Sequence, residues 1–281
     1  MAKRRTNDTI GVFLVVTAAV TYSTAGLFTK AVEAGAWEVI FWRGLFAAAF
    51  TTVWAANRGT LRRNFAHMGW SGWAVGVVGA LGTAAFIPAF KLTTIANVSL
   101  IYAVAPLIAA LLAWFFIGER VSARTAAGCV CALVGVAIIV SGSVGQLSLA
   151  GDLLALWMTI AMASIMVIYR RYPQTPAAGP AALQSFLLLP VAATLGAPFA
   201  VALSEILVLA AFGLLFAIAS VTLAEGAKRV PSGKTALLSS LETPLAPLLA
   251  FALLAEVPLV ATLIGGSVVL LAVLGAIRND A

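Results

Sequence analysis

Two stretches decide the reading of this chain: Ile101-Tyr-Ala-Val-Ala-Pro106-Leu-Ile-Ala-Ala-Leu-Leu-Ala-Trp-Phe-Phe-Ile-Gly-Glu119 and Ser239-Ser-Leu-Glu-Thr-Pro244-Leu-Ala-Pro247-Leu-Leu-Ala-Phe-Ala-Leu-Leu-Ala-Glu256. Each is an apolar run interrupted by proline and closed by a glutamate. A glycine-bearing apolar segment follows each, with Gly128 and Gly135 in one and Gly265, Gly266 and Gly275 in the other. The two stretches read as copies of one unit.

Working outward, the chain divides into ten apolar segments of membrane-spanning length: residues 10–30, 36–55, 69–90, 95–117, 125–142, 152–169, 181–201, 206–227, 232–255 and 259–277. The first copy is span four and the second is span nine, so the unit is five spans long. An odd unit reverses direction on repetition. The expected architecture is all-α and integral to the membrane, with ten transmembrane helices in two inverted five-helix repeats, 1–145 and 146–281. Glu119 is then cytoplasmic and Glu256 external. Inverted halves can exchange conformations and open a central site to each side in turn.

Composition agrees. Of 281 residues, 62% are hydrophobic, and the mean hydropathy is +1.07, which a soluble domain of this length does not sustain. Ten spans of about 20 residues take roughly 200 residues, leaving no room for a soluble catalytic domain. The segment from Ile10 to Phe28 is longer than a signal-peptide core, so it reads as a retained first helix. Cys129 and Cys131, two residues apart, face different sides of a helix and do not pair.

The net charge of +7 is explained by orientation. Alternating the loops puts Lys3, Arg4, Arg5, Arg58, Arg62, Arg63, Arg120, Arg124, Arg170, Arg171, Lys228, Arg229, Lys234 and Arg278 on one side, and only Lys30 and Lys91 on the other. Positive charge marks the cytoplasmic side, so both termini are expected there and no nucleic-acid partner is implied. Gly233-Lys234-Thr235 lacks the upstream glycine of a phosphate-binding loop, that position being Lys228. The one histidine, His67, has no Cys, Asp or Glu cluster around it in the sequence, so no metal and no cofactor are expected.

The residues resemble a known family. Pro106 through Val121, with Gly118-Glu119-Arg120, and Leu241-Glu-Thr-Pro244 through Glu256, are similar to the two EamA-type repeats of the drug/metabolite transporter superfamily. Tyr22-Ser23 with Lys30, and Phe41-Trp42-Arg43, are similar to the start of the first repeat. Size and aromatic content resemble the YddG-type bacterial exporters of aromatic and other amino acids. The resemblance implies a non-enzymatic transporter of the bacterial inner membrane that exports its cargo. The halves also differ: Gln184 stands roughly where the first half has Arg43, and Ala255-Glu256-Val257-Pro258 lacks the Gly and Arg that flank Glu119.

Arg43, about seven residues and roughly 10 Å into span two, is the one basic residue well inside a span. A charge there needs a wet cavity or a partner. It is a candidate for a substrate carboxylate, with an ion pair to Glu38 or snorkelling as the alternatives. Glu242, near the middle of span nine, is a candidate proton carrier or part of a proline-bent packing motif. Glu225, beside Lys228 and Arg229, reads as a surface pair. Tyr22, Trp42, Phe86, Phe90, Tyr102 and Trp157 are candidate walls of an apolar cavity, or packing and lipid-facing aromatics. Ser23, Thr24, Ser99, Ser164, Ser239 and Ser240 can offer hydroxyls to a polar substrate end or bond their own helices. Pro88, Pro106, Pro190, Pro198, Pro244 and Pro247 are expected to bend their spans, all but Pro198 as hinges. Trp37, Trp54, Trp70, Trp73 and Trp114 read as interfacial.

The expected function is secondary transport of small amphipathic metabolites, foremost amino acids with large neutral side chains, by alternating access. Ten spans can enclose a site in one chain, so a monomer suffices. Two rivals stand: an exporter of cationic drugs or polyamines, which would rely on Glu242, and a membrane-embedded enzyme or scaffold without transport, the enzyme lacking any cluster of acids, His or nucleophiles at one interface.

Overall fold

A proline cannot continue a helix backwards but starts one well, because the first turn has no use for its missing N–H. That rule shapes the centre of this molecule. A computed structural model describes residues 2–92, 98, 101–141, 148–254 and 260–278. Its helices are α1 (Ala2–Ser23), α2 (Ala25–Lys30), α3 (Ala36–Asn57), α4 (Leu61–Phe65), α5 (Gly69–Leu92), α6 (Ala105–Ile117), α7 (Ala123–Ser141), α8 (Leu149–Arg171), α9 (Ala178–Leu195), α10 (Leu203–Ala227), α11 (Ser232–Ser239), α12 (Glu242–Leu254) and α13 (Val260–Arg278). No strand occurs among the described residues. Glu256 and Ser99 lie outside them.

Helices occupy the described parts of the apolar segments, with instructive breaks. Span four turns at Ala103–Val104 and restarts with Pro106 in the first turn of α6. Span nine turns at Ser240–Leu241 and restarts at Glu242, with Pro244 in the first turn of α12. Both prolines therefore open a helical segment instead of bending a continuous one. Pro88 and Pro190 do lie inside their helices. Pro198 does not. The helix α9 ends at Leu195, Gly196 is extended, and Pro198 begins a short 3-10 turn. Span one also breaks, at Thr24.

Other ends follow local chemistry. The helix α6 stops at Gly118, whose φ of 65° suits glycine, with the Glu119 N–H reaching back to the Ala113 carbonyl. Ser148 caps α8 by accepting the Gly151 N–H.

Among the described residues, four helices, α3, α8, α9 and α10, are each long and apolar enough to cross a membrane. Large apolar side chains such as Phe13, Phe115, Phe116 and Leu271 are exposed on the outside, as in a protein whose solvent there is lipid. Together these features make the chain a multi-pass membrane protein.

Packing is pairwise. The helix α5 lies on α8 and α9, and α10 lies on α1 and α3; α3 packs on α9, and α7 on α13. Exchanging the two expected halves carries α5–α8 onto α10–α1 and α5–α9 onto α10–α3. It returns α3–α9 and α7–α13 to themselves. Small residues allow these approaches. A Cβ at Gly135 would lie 2.7 Å from the Gly265 carbonyl oxygen. The half-helix α11 is buried along its whole length, within a core that includes Val15, Ala109, Cys129, Leu237 and Val269.

The two ends of the bundle carry opposite charge. At one end the Ser71 hydroxyl meets Thr175 at 2.7 Å, Gly179 sits against the Asn64 carbonyl, and Arg170, Lys228 and Arg229 are ion-paired. At the other end Glu38 accepts the Ala197 N–H at 2.7 Å and Glu205 accepts the Glu33 N–H at 2.6 Å.

Candidate functional site

Gly213 positions the centre of the molecule. A Cβ there would lie 2.6 Å from the Phe46 Cβ and 2.8 Å from the Arg43 carbonyl oxygen, so only glycine lets α10 come this close to α3. The approach lays Phe212 and Phe216 beneath the Arg43 side chain. The guanidinium carbon is 4.3 Å from the Phe216 ring centre and 5.5 Å from that of Phe212.

Arg43 has no carboxylate partner among the described residues. Glu38, the acid nearest in sequence, instead holds the turn after α9 through Ala197. The Arg43 Nε is buried and without a hydrogen-bond partner. Two aromatic faces contribute about 2 kcal/mol or more when the site is dry. That does not replace the directed bonds a guanidinium makes to a carboxylate.

Arg43, Gly44, Thr83, Gln184, Ser185, Leu188 and Phe216 enclose a space of about 10 Å³. It has room for about a single water and none for a metabolite. Gln184 faces the same space from α9.

A second polar group lies at the helix breaks. The Tyr22 hydroxyl, just before the break at Thr24, is 3.0 Å from the Ser220 hydroxyl. The Tyr22 ring meets Phe216 edge-on at 5.8 Å. Tyr102, immediately before the turn at Ala103–Val104, brings its hydroxyl to the carboxyl of Glu242, immediately after the turn at Ser240–Leu241. The two helix breaks thus face each other through this pair of side chains. Irregular backbone inside a membrane protein persists where protein or a wet cavity satisfies it.

The remaining candidates are placed elsewhere. Trp42 donates its indole N–H to the Pro198 carbonyl at 2.8 Å, toward the acidic end. Trp157 and Phe86 are exposed on the outer surface. Ser23, Thr24, Ser164, Ser239 and Ser240 each bond a carbonyl of their own chain three or four residues back. The side chains of Phe90 and Pro247 are not among those described. Trp54, Trp70, Trp73 and Trp114 are exposed. Glu225 pairs with Lys228 at 2.5 Å and Arg229 at 2.8 Å.

Phe212, Phe216, Ser220 and Thr83 were not singled out by sequence reading. One signal was available: positions 212, 216 and 220 are four apart, so they share one helix face beside Gly213.

Residues 9–141 match the EamA-like transporter family. That match contains Tyr22, Arg43 and Tyr102, whereas Phe216, Ser220 and Glu242 lie beyond it. A general transport role fits it, and the family is one of transporters, not enzymes. A solved crystal structure with 23% sequence identity superposes with a TM-score of 0.83, covering 95% of this chain and 96% of that one. At that identity the likeness is one of fold. No curated protein matches the sequence.

Proposed function

We propose that the chain is a secondary transporter of small amphipathic metabolites bearing a carboxylate, foremost aromatic and other large neutral amino acids. It works by alternating access as two inverted repeats, 1–145 and 146–281. It lies in the bacterial inner membrane with both termini cytoplasmic and exports its cargo. The observation that carries this reading is Arg43: a buried guanidinium over two aromatic rings, with an unpartnered Nε and no acid of its own among the described residues.

The chemistry follows from the geometry. A substrate carboxylate entering the space beside Arg43 gains the charge-assisted bonds the protein withholds. Phe212, Phe216 and Tyr22 offer an apolar wall to its side chain. Access requires this space to widen, and the breaks at Ala103–Val104 and Ser240–Leu241 are where two spans can bend. The matched packing of the halves supports an exchange of conformations, and the basic and acidic ends support the orientation.

The test is flux of labelled aromatic and aliphatic amino acids into proteoliposomes, with and without an imposed pH gradient. Saturable flux is expected. Its absence in a folded preparation would overturn the cargo assignment. Flux of organic cations, abolished by Glu242→Gln, would establish the drug or polyamine reading instead, and no substrate-dependent flux of any class would leave the scaffold.

A further inference from the structure

The outer surface carries a groove between α6 and α7. Those two pack more on α11 than on each other. A Cβ at Gly233 would lie 3.1 Å from the Ala110 Cβ, and one at Gly128 would lie 2.8 Å from Leu237. With α11 as a common floor, α6 and α7 splay and leave a groove of about 290 Å³. Leu107, Leu111 and Trp114 form one wall, Val121 and Ala126 the other, with Cys129 at the base. The lining is apolar throughout.

At the groove's end the chain turns through Gly118 in the left-handed region and presents Arg120 and Arg124, both exposed, beside Val121 and Ala126. This is the basic end of the bundle, shared with Arg170, Lys228 and Arg229. Trp114, 59% exposed, stands at the same level, where indole rings mark the headgroup boundary.

We propose that this groove is a binding site for one anionic phospholipid of the bilayer, with an acyl chain in the groove and its phosphate on Arg120 and Arg124. An apolar lining offers nothing to a polar metabolite. A groove open sideways in the membrane belt admits an acyl chain without taking it out of the bilayer. Two exposed arginines at its mouth select a negative headgroup over a zwitterionic one. A second copy of the chain would need an interface of about 1,200 Å² or more to hold stably, far beyond this groove, and would bring like charges together at its rim. Because α11 is the floor, an occupant bears on one arm of the broken ninth span.

The test is native mass spectrometry of the detergent-purified full chain titrated with phosphatidylglycerol or phosphatidylcholine of identical acyl chains. One retained phosphatidylglycerol, preferred on the order of tenfold, is expected. The Arg120→Gln/Arg124→Gln variant should retain both lipids equally, and Ala126→Trp, which fills the groove, should retain neither. Thermal midpoints of the variants identify any that fail to fold; either variant alone suffices for the comparison. Equal retention of the two lipids by the wild type, or selectivity unchanged in the arginine variant, overturns the proposal. So does a mass of two chains that Ala126→Trp reduces to one, which would make the groove a dimer contact.

Discussion

The Glu119 carboxylate, past the end of α6, accepts a hydrogen bond from Nε of Arg170 in the last turn of α8 at 3.0 Å. Its other oxygen accepts the Ser232 N–H at 3.1 Å. Arg170 also reaches the Lys228 carbonyl at 3.4 Å. One carboxylate thus ties the ends of α6 and α8 to the start of α11, and through Arg170 to α10. The pair is 19% and 27% exposed, so it is screened less than a surface pair. Its worth should fall between that of exposed pairs and buried ones, about 1–3 kcal/mol.

Glu119→Ala should therefore lower stability by about that amount, and Arg170→Ala should add little in the double variant, because the two residues act as one unit. Thermal unfolding of the single and double variants checks this. Fully additive losses would separate the residues. If this end is a gate that opens during transport, both variants should also increase labelling of a cysteine placed at Ser232.

Arg43 makes a sharper claim. Arg43→Ala should reduce flux of carboxylate-bearing cargo by about 10- to 100-fold, the worth of one or two charge-assisted bonds. Neutral cargo lacking a carboxylate should be affected less. Arg43→Lys keeps the charge but loses the planar fork and the stacking on Phe216, and should recover only part of the loss. An equal fall across anionic, neutral and cationic cargo would mark Arg43 as structural.

Gly213→Ala tests the placement of Arg43 indirectly. The new methyl would press on the Phe46 Cβ and the Arg43 carbonyl, so α3 and α10 must part. A cost of about 1–3 kcal/mol is expected, with a loss of carboxylate flux. Gly275→Ala is the control. No neighbouring atom of the described residues lies within 4 Å of its Cβ beyond its own helix turn, so replacing a helical glycine there should be neutral or stabilise by up to about 1 kcal/mol. Matching effects at the two glycines would deny the close approach its role.

What the sequence could reveal about these sites depended on contrast. Arg43 and Glu242 stand out because charge is rare inside a span. Phe212 and Phe216 do not, because α10 is apolar on every side and only its neighbours decide which face is inward. The hydroxyls of Ser23, Thr24, Ser164, Ser239 and Ser240 pose a different problem. A serine or threonine in a helix can bond its own backbone or a ligand, and local spacing is compatible with both. The broken spans were hidden for a third reason. Pro106 and Pro244 read as kinks in continuous apolar runs, yet a proline also disfavours helical geometry in the residue before it. The chain turns upstream and restarts with the proline in the first turn.

Glu242→Gln is the variant that separates chemistry from architecture at those breaks. The amide keeps the size of the carboxyl and can still accept the Tyr102 hydroxyl, so the joint between spans four and nine should survive and stability should change by less than about 1.5 kcal/mol. What the amide cannot do is take up a proton. Tyr102 and Tyr22 are its titratable neighbours among the described residues, and neither is an acid that could replace it near neutral pH. If Glu242 couples transport to a proton, the variant should carry substrate down its own gradient while losing all acceleration by an imposed pH gradient. Tyr102→Phe removes the bond but leaves the acid, so it should keep the acceleration and lose stability instead. Flux measured with and without the pH gradient in both variants decides between them. Acceleration that persists in Glu242→Gln would leave Glu242 as the structural partner of Tyr102 and place any coupled proton elsewhere.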